Sequence, residues 1–517
     1  MNLKLTLADN WRQQSRRLHS RAAGSLDSVS YNFSPQIKSR EAGVSGRQMS
    51  RSDCAAVAFI VAICAIFSLH LLTGIADNGD FSRTFGFLIK GPVGWAIEPP
   101  APDSPDWHRR FFQTWIDAWT YYPAFSNFAH IYSASSIKVW MLVQAAASVL
   151  LTGNLSTYSI IAGSIPGRIV YLGSFIWLFI LIRRHSGRAA AWAYLVAATP
   201  IILASAFVAF LNSFFEEQIM IIGLPLLAAF VYASRSTGRT RYACWALAVA
   251  VFIGLAKTAY FLLPVFVAPF VCRMNGKMIA AAVVGSVIAF LPAKLGENRG
   301  INEYHALYLG ALTLLQEERG IDIQTVDGKP IMPECVGHFA YTEIGKVCRE
   351  KARATYFDTI RVLVKHPLLG PHMFLRALRD GNGIGLSTAG MRLENAPSFA
   401  DAPLFRLWQS IYAMHVNVVA LICGAIALAL SRRLKPLEMT GLFFAVWGGA
   451  QYGLALGDGF MDLQRHVIGA NFCLSLAVLL FFAALAGTVG ARRSPGLRSD
   501  PAERSHEEGH RECAENT

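Results

Sequence analysis

Apolar residues run along this chain in long unbroken blocks. Half-buried strands would alternate every second residue, and surface helices would show a one-sided stripe. The first block, residues 54–76, is almost wholly apolar and about the 20 residues a helix needs to cross a hydrocarbon core. Further blocks follow at 166–182, 189–208, 218–232, 242–255, 260–271, 277–291, 404–430, 440–456 and 467–488. They predict an all-α polytopic membrane protein with about ten spans. Lys257 interrupts 242–271, which reads either as a tight pair of helices or as one long tilted helix. Arg273 and Lys277 favour the pair, because they match the basic link 235–241.

The connections carry the charge. Arg183-Arg184-His185, 235–241, Ser431-Arg432-Arg433 and Arg492-Arg493 all fall on one side of such a ten-span path, the side of the N-terminus. By the bias of Lys and Arg towards the cytoplasm, both termini are cytoplasmic, as in a multi-pass protein of a bacterial inner membrane. The 53% hydrophobic and 16% charged composition of the 517 residues fits this better than soluble domains do. The net charge of +13 resides in the tails and short connections, so it indicates no nucleic-acid partner.

Residues 1–53 are polar and basic and read as a disordered cytoplasmic tail. An N-terminal transmembrane module spans 54–293 and includes a first extracytoplasmic loop, 77–138. A polar, mostly helical extracytoplasmic segment covers 294–403, with a helical pattern over 343–364 closed by His366-Pro367. A C-terminal transmembrane module, 404–489, precedes a second disordered tail, 490–517. The first loop is rich in aromatic residues (Trp95, Trp107, Trp115, Trp119, Tyr121, Tyr122, Tyr132), and the apolar stretch 137–151 suits a helix lying in the interface. Most cysteines sit in apolar blocks; Cys335 and Cys348 lie in the polar segment and would pair if it faces an oxidising compartment.

On this topology the unusual polar residues gather at the extracytoplasmic ends of the spans. They are Asp77-Asn78-Gly79-Asp80-Phe81-Ser82-Arg83, Asn212-Ser213-Phe214-Phe215-Glu216-Glu217, Lys257, and Asp458 with Asp462, Arg465 and His466. Asp77 and Asp80 are three apart and share a helical face; Asp458, Asp462 and His466 line one face if their helix continues. Each also has a plain structural alternative. Acids at a helix exit are commonly solvated, Lys257 would snorkel to the surface, and Asp462 with Arg465 would form an ion pair. Gly79, Gly457 and Gly459 would serve chain reversal.

Asn78-Gly79-Asp80-Phe81 with Arg83, Asn212-Ser213-Phe214-Phe215 followed by Glu217, and Gly457-Asp458-Gly459 with Arg465-His466 resemble the bacterial WsfD-type glycan hexosyltransferases of the GT-C class of membrane glycosyltransferases. The chain reads Leu203-Ala204-Ser205-Ala206 where that pattern carries an aspartate. The resemblance implies a GT-C-like fold, a polyprenyl-phosphate-linked sugar donor, inverting transfer to a glycan or glycolipid acceptor, and no nucleotide-sugar pocket.

An acceptor hydroxyl needs a base to take its proton, and Asp80 is placed for that role, with Asp77 either orienting the acceptor or raising the basicity of Asp80 by like-charge proximity. The leaving lipid phosphate needs cations, for which Arg465, Lys257 and His466 are the candidates. Arg83, Asn212, Glu217, Asp458 and Asp462 would support them. A polyprenyl-monophosphate donor requires no cofactor, although Asp80 and Glu217 offer oxygen ligands that suit Mg²⁺ or Mn²⁺. Two other classes stay open: a lipid-glycan flippase or transporter, and an O-antigen polymerase or ligase relying on His338, His366, His372, Arg376 or Arg379.

Overall fold

The computed structural model describes residues 50–74, 84–93, 116–122, 135–271, 275–295, 300–320, 325–326, 329–340, 342–381, 391–392, 415–430, 433–460 and 463–492. The terminal tails read from the sequence lie almost wholly outside that set. The chain divides into two units, residues 1–54 and residues 55–517. Within the first, Ser50 and Asp53 exchange backbone and side-chain hydrogen bonds that cap the opening helix. Apart from the opening residues of the first helix, everything described below lies in the second unit.

The helices are α1 (Arg51–Ser68, prolonged by a tighter turn Leu69–Leu72), α2 (Ser135–Thr152), α3 (Ile160–His185), α4 (Arg188–Ile202), α5 (Glu217–Thr237), α6 (Thr240–Gly254) and α7 (Gly276–Leu295). They continue with α8 (Leu312–Arg319), α9 (Glu343–Ala352), α10 (Tyr356–Lys365), α11 (Leu369–Asp380), α12 (Val416–Ala429), α13 (Pro436–Ala455) and α14 (Ile468–Arg492). Their limits follow local chemistry. Ser159 caps α3 by accepting from the Ala162 amide at 3.2 Å, Gly238 ends α5 in the left-handed region, and Pro436 opens α13.

α5 lies at the centre, packed on α3 and α6, while α14 packs on α13, α4 and α12. This is a helical membrane protein. Among the described residues, four helices are long and apolar enough to cross a bilayer: α1 with its extension, α3, α5 and α14. α4 and the following Ser205–Asn212 make a fifth span if their 62° bend is crossed as one. Ten spans are not reached by that measure, because Thr240–Gly254, Gly276–Leu291 and Val416–Ala429 are apolar but short. The region around Lys257 is broken rather than one tilted helix: α6 stops at Gly254, and short turns of helix occupy Thr258–Tyr260, Leu263–Val267 and Ala268–Phe270.

Two features depart from the all-helical expectation. A three-stranded antiparallel sheet joins β1 (Ile89–Pro92), β2 (Ala118–Tyr121) and β3 (Thr157–Ser159), with Trp119 opposite both Pro92 and Tyr158. Aromatic and β-branched residues in this stretch favour a pleated surface, and Trp119 is buried edge-on against Phe214 at 4.7 Å. In the polar segment, the helical pattern over 343–364 splits into α9 and α10. Arg353 adopts a positive φ of 43°, and Thr355 with Asp358 forms a capping box that restarts the helix. That segment has its own core, which includes Leu307, Tyr308, Leu315, Val362 and Met373. Cys335 and Cys348 form a disulfide there, with Cα atoms 5.6 Å apart.

Candidate functional site

The bundle has two chemically different ends. At one, Ser186 in the α3–α4 turn bonds Tyr232 near the end of α5 at 2.7 Å. At the same end Arg235 donates to the Phe270 and Pro269 carbonyls at 2.8 and 2.7 Å. The basic connections 183–185 and 235–241 lie here. The opposite end collects the start of α5, the break after α6, the end of α13 and the approach to α14, and among the ionisable residues singled out from the sequence it holds Glu216, Glu217, Lys257, Asp458, Arg465 and His466.

Local structure brings them there. After the bend that follows α4, the stretch from Asn212 to Gln218 is buried throughout, which overturns a solvated role for Glu216 and Glu217. Gln218 donates to the Ser213 carbonyl at 2.9 Å, and Gln144 to Gln218 at 2.8 Å, so the turn is tied to α2. Glu217 then opens α5, where a carboxylate faces the positive end of the helix dipole. The break after α6 sets Lys257 opposite it. One carbonyl that the break frees, that of Ala259, accepts from Gln451 of α13 at 2.8 Å.

Lys257 Nζ lies 2.5 Å from Glu217 Oε1, whose side chain is only 2% exposed, and 3.2 Å from His466 Nδ1. His466 Nε2 lies 3.2 Å from one oxygen of Asp458, and His305 Nδ1 lies 2.9 Å from the other. His305 Nε2 accepts the Ala340 amide at 3.1 Å. These contacts fix the protons. An ammonium has no lone pair, so His466 Nδ1 must accept and its Nε2–H donates to Asp458. The Ala340 N–H likewise leaves the His305 proton on Nδ1, also donated to Asp458. Two neutral imidazoles therefore clamp one carboxylate, and Lys257 balances Glu217. Arg465 stacks its guanidinium 4.9 Å above the Phe215 ring, within electrostatic reach of Glu217.

The cluster sets its own charge states. Burial alone would raise the Asp458 carboxyl, but hydrogen bonds from His305 and His466 outweigh it and hold it well below the usual carboxylate range. Burial, followed by the charge of Lys257, pushes the His466 imidazole below its ordinary value against the opposing pull of Asp458.

Asp458 and His466 do not share one continuous helix. α13 gives way to a tight turn at Leu456–Asp458, Gly459 takes a φ of +64°, and a new turn of helix begins at Leu463. His466 reaches Asp458 across that turn. Gly459 is required twice, since a Cβ there would also lie 2.5 Å from the His305 carbonyl oxygen.

Asn212 lies on the same loop but points elsewhere, donating to the Leu71 carbonyl at 2.8 Å. Thr84 donates to the Phe214 carbonyl, also at 2.8 Å. Asp77, Asp80, Arg83 and Asp462 lie outside the described residues. Leu71, before the Asp77–Arg83 stretch, and Thr84, just after it, are thus both fastened to the loop that leads into Glu217.

Two contributors escaped the sequence reading. His305 is fully buried in a π-helical turn, His305–Ala311, a wide-wound geometry common at functional sites. Nothing in its spacing links it to Asp458, 153 residues away. Tyr260 is fully buried and within electrostatic range of Glu217 and Arg465; among the described residues its hydroxyl has no hydrogen-bond partner. Among the described residues no three His, Cys, Asp or Glu side chains converge as a metal-ligand set, and Glu217 Oε1 is engaged by Lys257. No family model matches the chain, and no curated protein is detectably similar to it.

Proposed function

We propose that this chain is an integral membrane glycosyltransferase that moves a sugar from a polyprenyl-phosphate donor to a glycan or glycolipid acceptor on the extracytoplasmic face. One observation carries the reading. Glu217, Lys257, Asp458, Arg465 and His466, from three separate stretches of chain, converge at a single end of an apolar bundle. Charges held at a membrane boundary are costly and mark functional sites. That end lies opposite the basic connections, which the charge bias assigns to the cytoplasm. The Cys335–Cys348 disulfide, in the segment that supplies His305, suits an oxidising compartment outside it.

The chemistry follows from the charges. The acceptor oxygen attacks the anomeric carbon while the bond from that carbon to the phosphate oxygen breaks, inverting the centre. Asp80 takes the acceptor proton, and the lipid phosphate leaves as an anion. Arg465 meets that anion with a planar fork already oriented by Phe215. Lys257 has committed one N–H to Glu217 and one to His466, so a third remains for phosphate. Asp458 orients His466, which burial and the charge of Lys257 keep neutral, rather than acting on substrate. A site at the bilayer boundary fits a donor whose isoprenoid tail stays in lipid.

Arg465→Ala tests the phosphate role. Losing a hydrogen-bonded charge of roughly 1.5–3 kcal/mol should weaken donor binding about 10- to 100-fold in nanodiscs. An unchanged affinity for polyprenyl-phosphate sugar would remove Arg465 from the donor site.

A further inference from the structure

The helices of the polar segment carry an inverted pattern. α10 turns Asp358, Thr359 and Val362 inward, and it leaves Phe357 72%, Ile360 51% and Val364 74% exposed, with Leu368 just beyond it at 64%. The three on α10 recur at intervals of three and four, so they form one apolar stripe on its outer face. Ile344 and Val347 of α9 are exposed as well. A stripe of this kind facing water would be an association site.

Its position shows what covers it. Tyr356, the first residue of α10, lies against Gly457 at the end of α13, where an added Cβ would sit 3.9 Å from its ring. The Leu378 carbonyl near the end of α11 accepts from Asn417 of α12 at 3.0 Å, and the Gly381 carbonyl accepts from Asn471 of α14 at 2.9 Å. α10 and α11 are therefore held on the ends of the bundle helices, at the depth where hydrocarbon gives way to headgroups. Between Glu343 and Asp380 there are eight Lys or Arg residues against four Asp or Glu. Arg361 and Lys365, on the same helix, border the apolar stripe. An apolar face with a cationic border at this depth has the composition of a helix lying in an anionic lipid surface.

We infer that α10 docks flat on the bilayer, its Phe357–Val364 face in the acyl boundary and its basic fringe on anionic headgroups. The segment that carries His305 is thereby seated on the membrane as well as on the bundle. This does not depend on the glycosyltransferase reading.

The test uses full-length Phe357→Cys and Val364→Cys, with Lys351→Cys as the control, each in nanodiscs holding a single copy. Labelling by a membrane-impermeant maleimide is followed site by site by mass spectrometry, so the native cysteines are counted separately. Labelling at 357 and 364 should be at least about tenfold slower than at 351 in discs of phosphatidylglycerol and phosphatidylethanolamine, with faster labelling in phosphatidylcholine discs. Equal rates at all three positions would overturn the docking. Protection that appears only in discs loaded with two copies would assign the face to self-association instead. Protection indifferent to lipid charge would overturn the anionic-surface assignment.

Discussion

At the scale of single residues, the account turns on Glu217 and Lys257. A carboxylate with 2% of its side chain exposed is tolerated because an ammonium lies 2.5 Å away, and removing that ammonium strands the charge. Lys257→Met should therefore destabilise the protein by about 3–5 kcal/mol, seen as a lowered unfolding temperature in nanodiscs. Adding Glu217→Gln should restore most of the loss, because no buried charge then remains; additive losses would contradict the pairing. His466 supplies a pH signature. Its native value is lowered, so between that value and about 6.5 the unfolded chain binds a proton that the native protein does not. Stability should rise with pH through that window and fall on acidification. Asp458, held well below the ordinary range, adds its own loss only at more acidic pH. Unfolding temperatures measured from pH 5 to 8 should show the slope in wild type and lose it in His466→Asn. A flat wild-type profile would contradict a buried neutral His466.

At the scale of elements, much was legible because apolar blocks declare helices directly. The blocks at 166–182, 218–232 and 467–488 became α3, α5 and α14 with extended ends. What was illegible was how helices break. The 62° bend after α4 depends on packing that no local pattern reports, whereas the stop at Gly254 agrees with the interruption read at Lys257. The capping box at Thr355 and Asp358 was readable in principle, since a Thr followed three residues later by Asp signals a restart. The small sheet was hidden because its strands are of three or four residues and come from chain positions far apart. Gly459 gives this scale its test. Gly459→Ala forces a side chain into the left-handed region and against the His305 carbonyl. It should cost about 1–3 kcal/mol in thermal unfolding, whereas Gly457→Ala, whose Cβ would make only an ordinary contact with the Tyr356 ring at 3.9 Å, should cost less. Equal effects of the two substitutions would show that the close approach of Gly459 to His305 is dispensable.

At the scale of the whole molecule, the separation of a basic end from an acid–base end is what the sequence anticipated best. Five of its ten candidate site residues meet there: Glu217, Lys257, Asp458, Arg465 and His466. The contribution of His305 was invisible because it rests on a contact across 153 residues. A transporter would be expected to carry its polar groups near the midplane between related halves, and this cluster instead gathers at helix ends. A late-loop polymerase site would want a cation held ready for substrate, yet Arg376 is paired with Glu317 at 2.7 Å and with Asp380 at 3.3 Å. The central claim is extracytoplasmic sugar transfer with Asp80 as base. The most direct measurement is transfer of labelled sugar from polyprenyl-phosphate donors in membranes, wild type against Asp80→Asn at matched expression. The account predicts transfer by wild type and a loss of about 10²–10⁴-fold in the variant, with donor binding retained. Equal transfer by both proteins would contradict it.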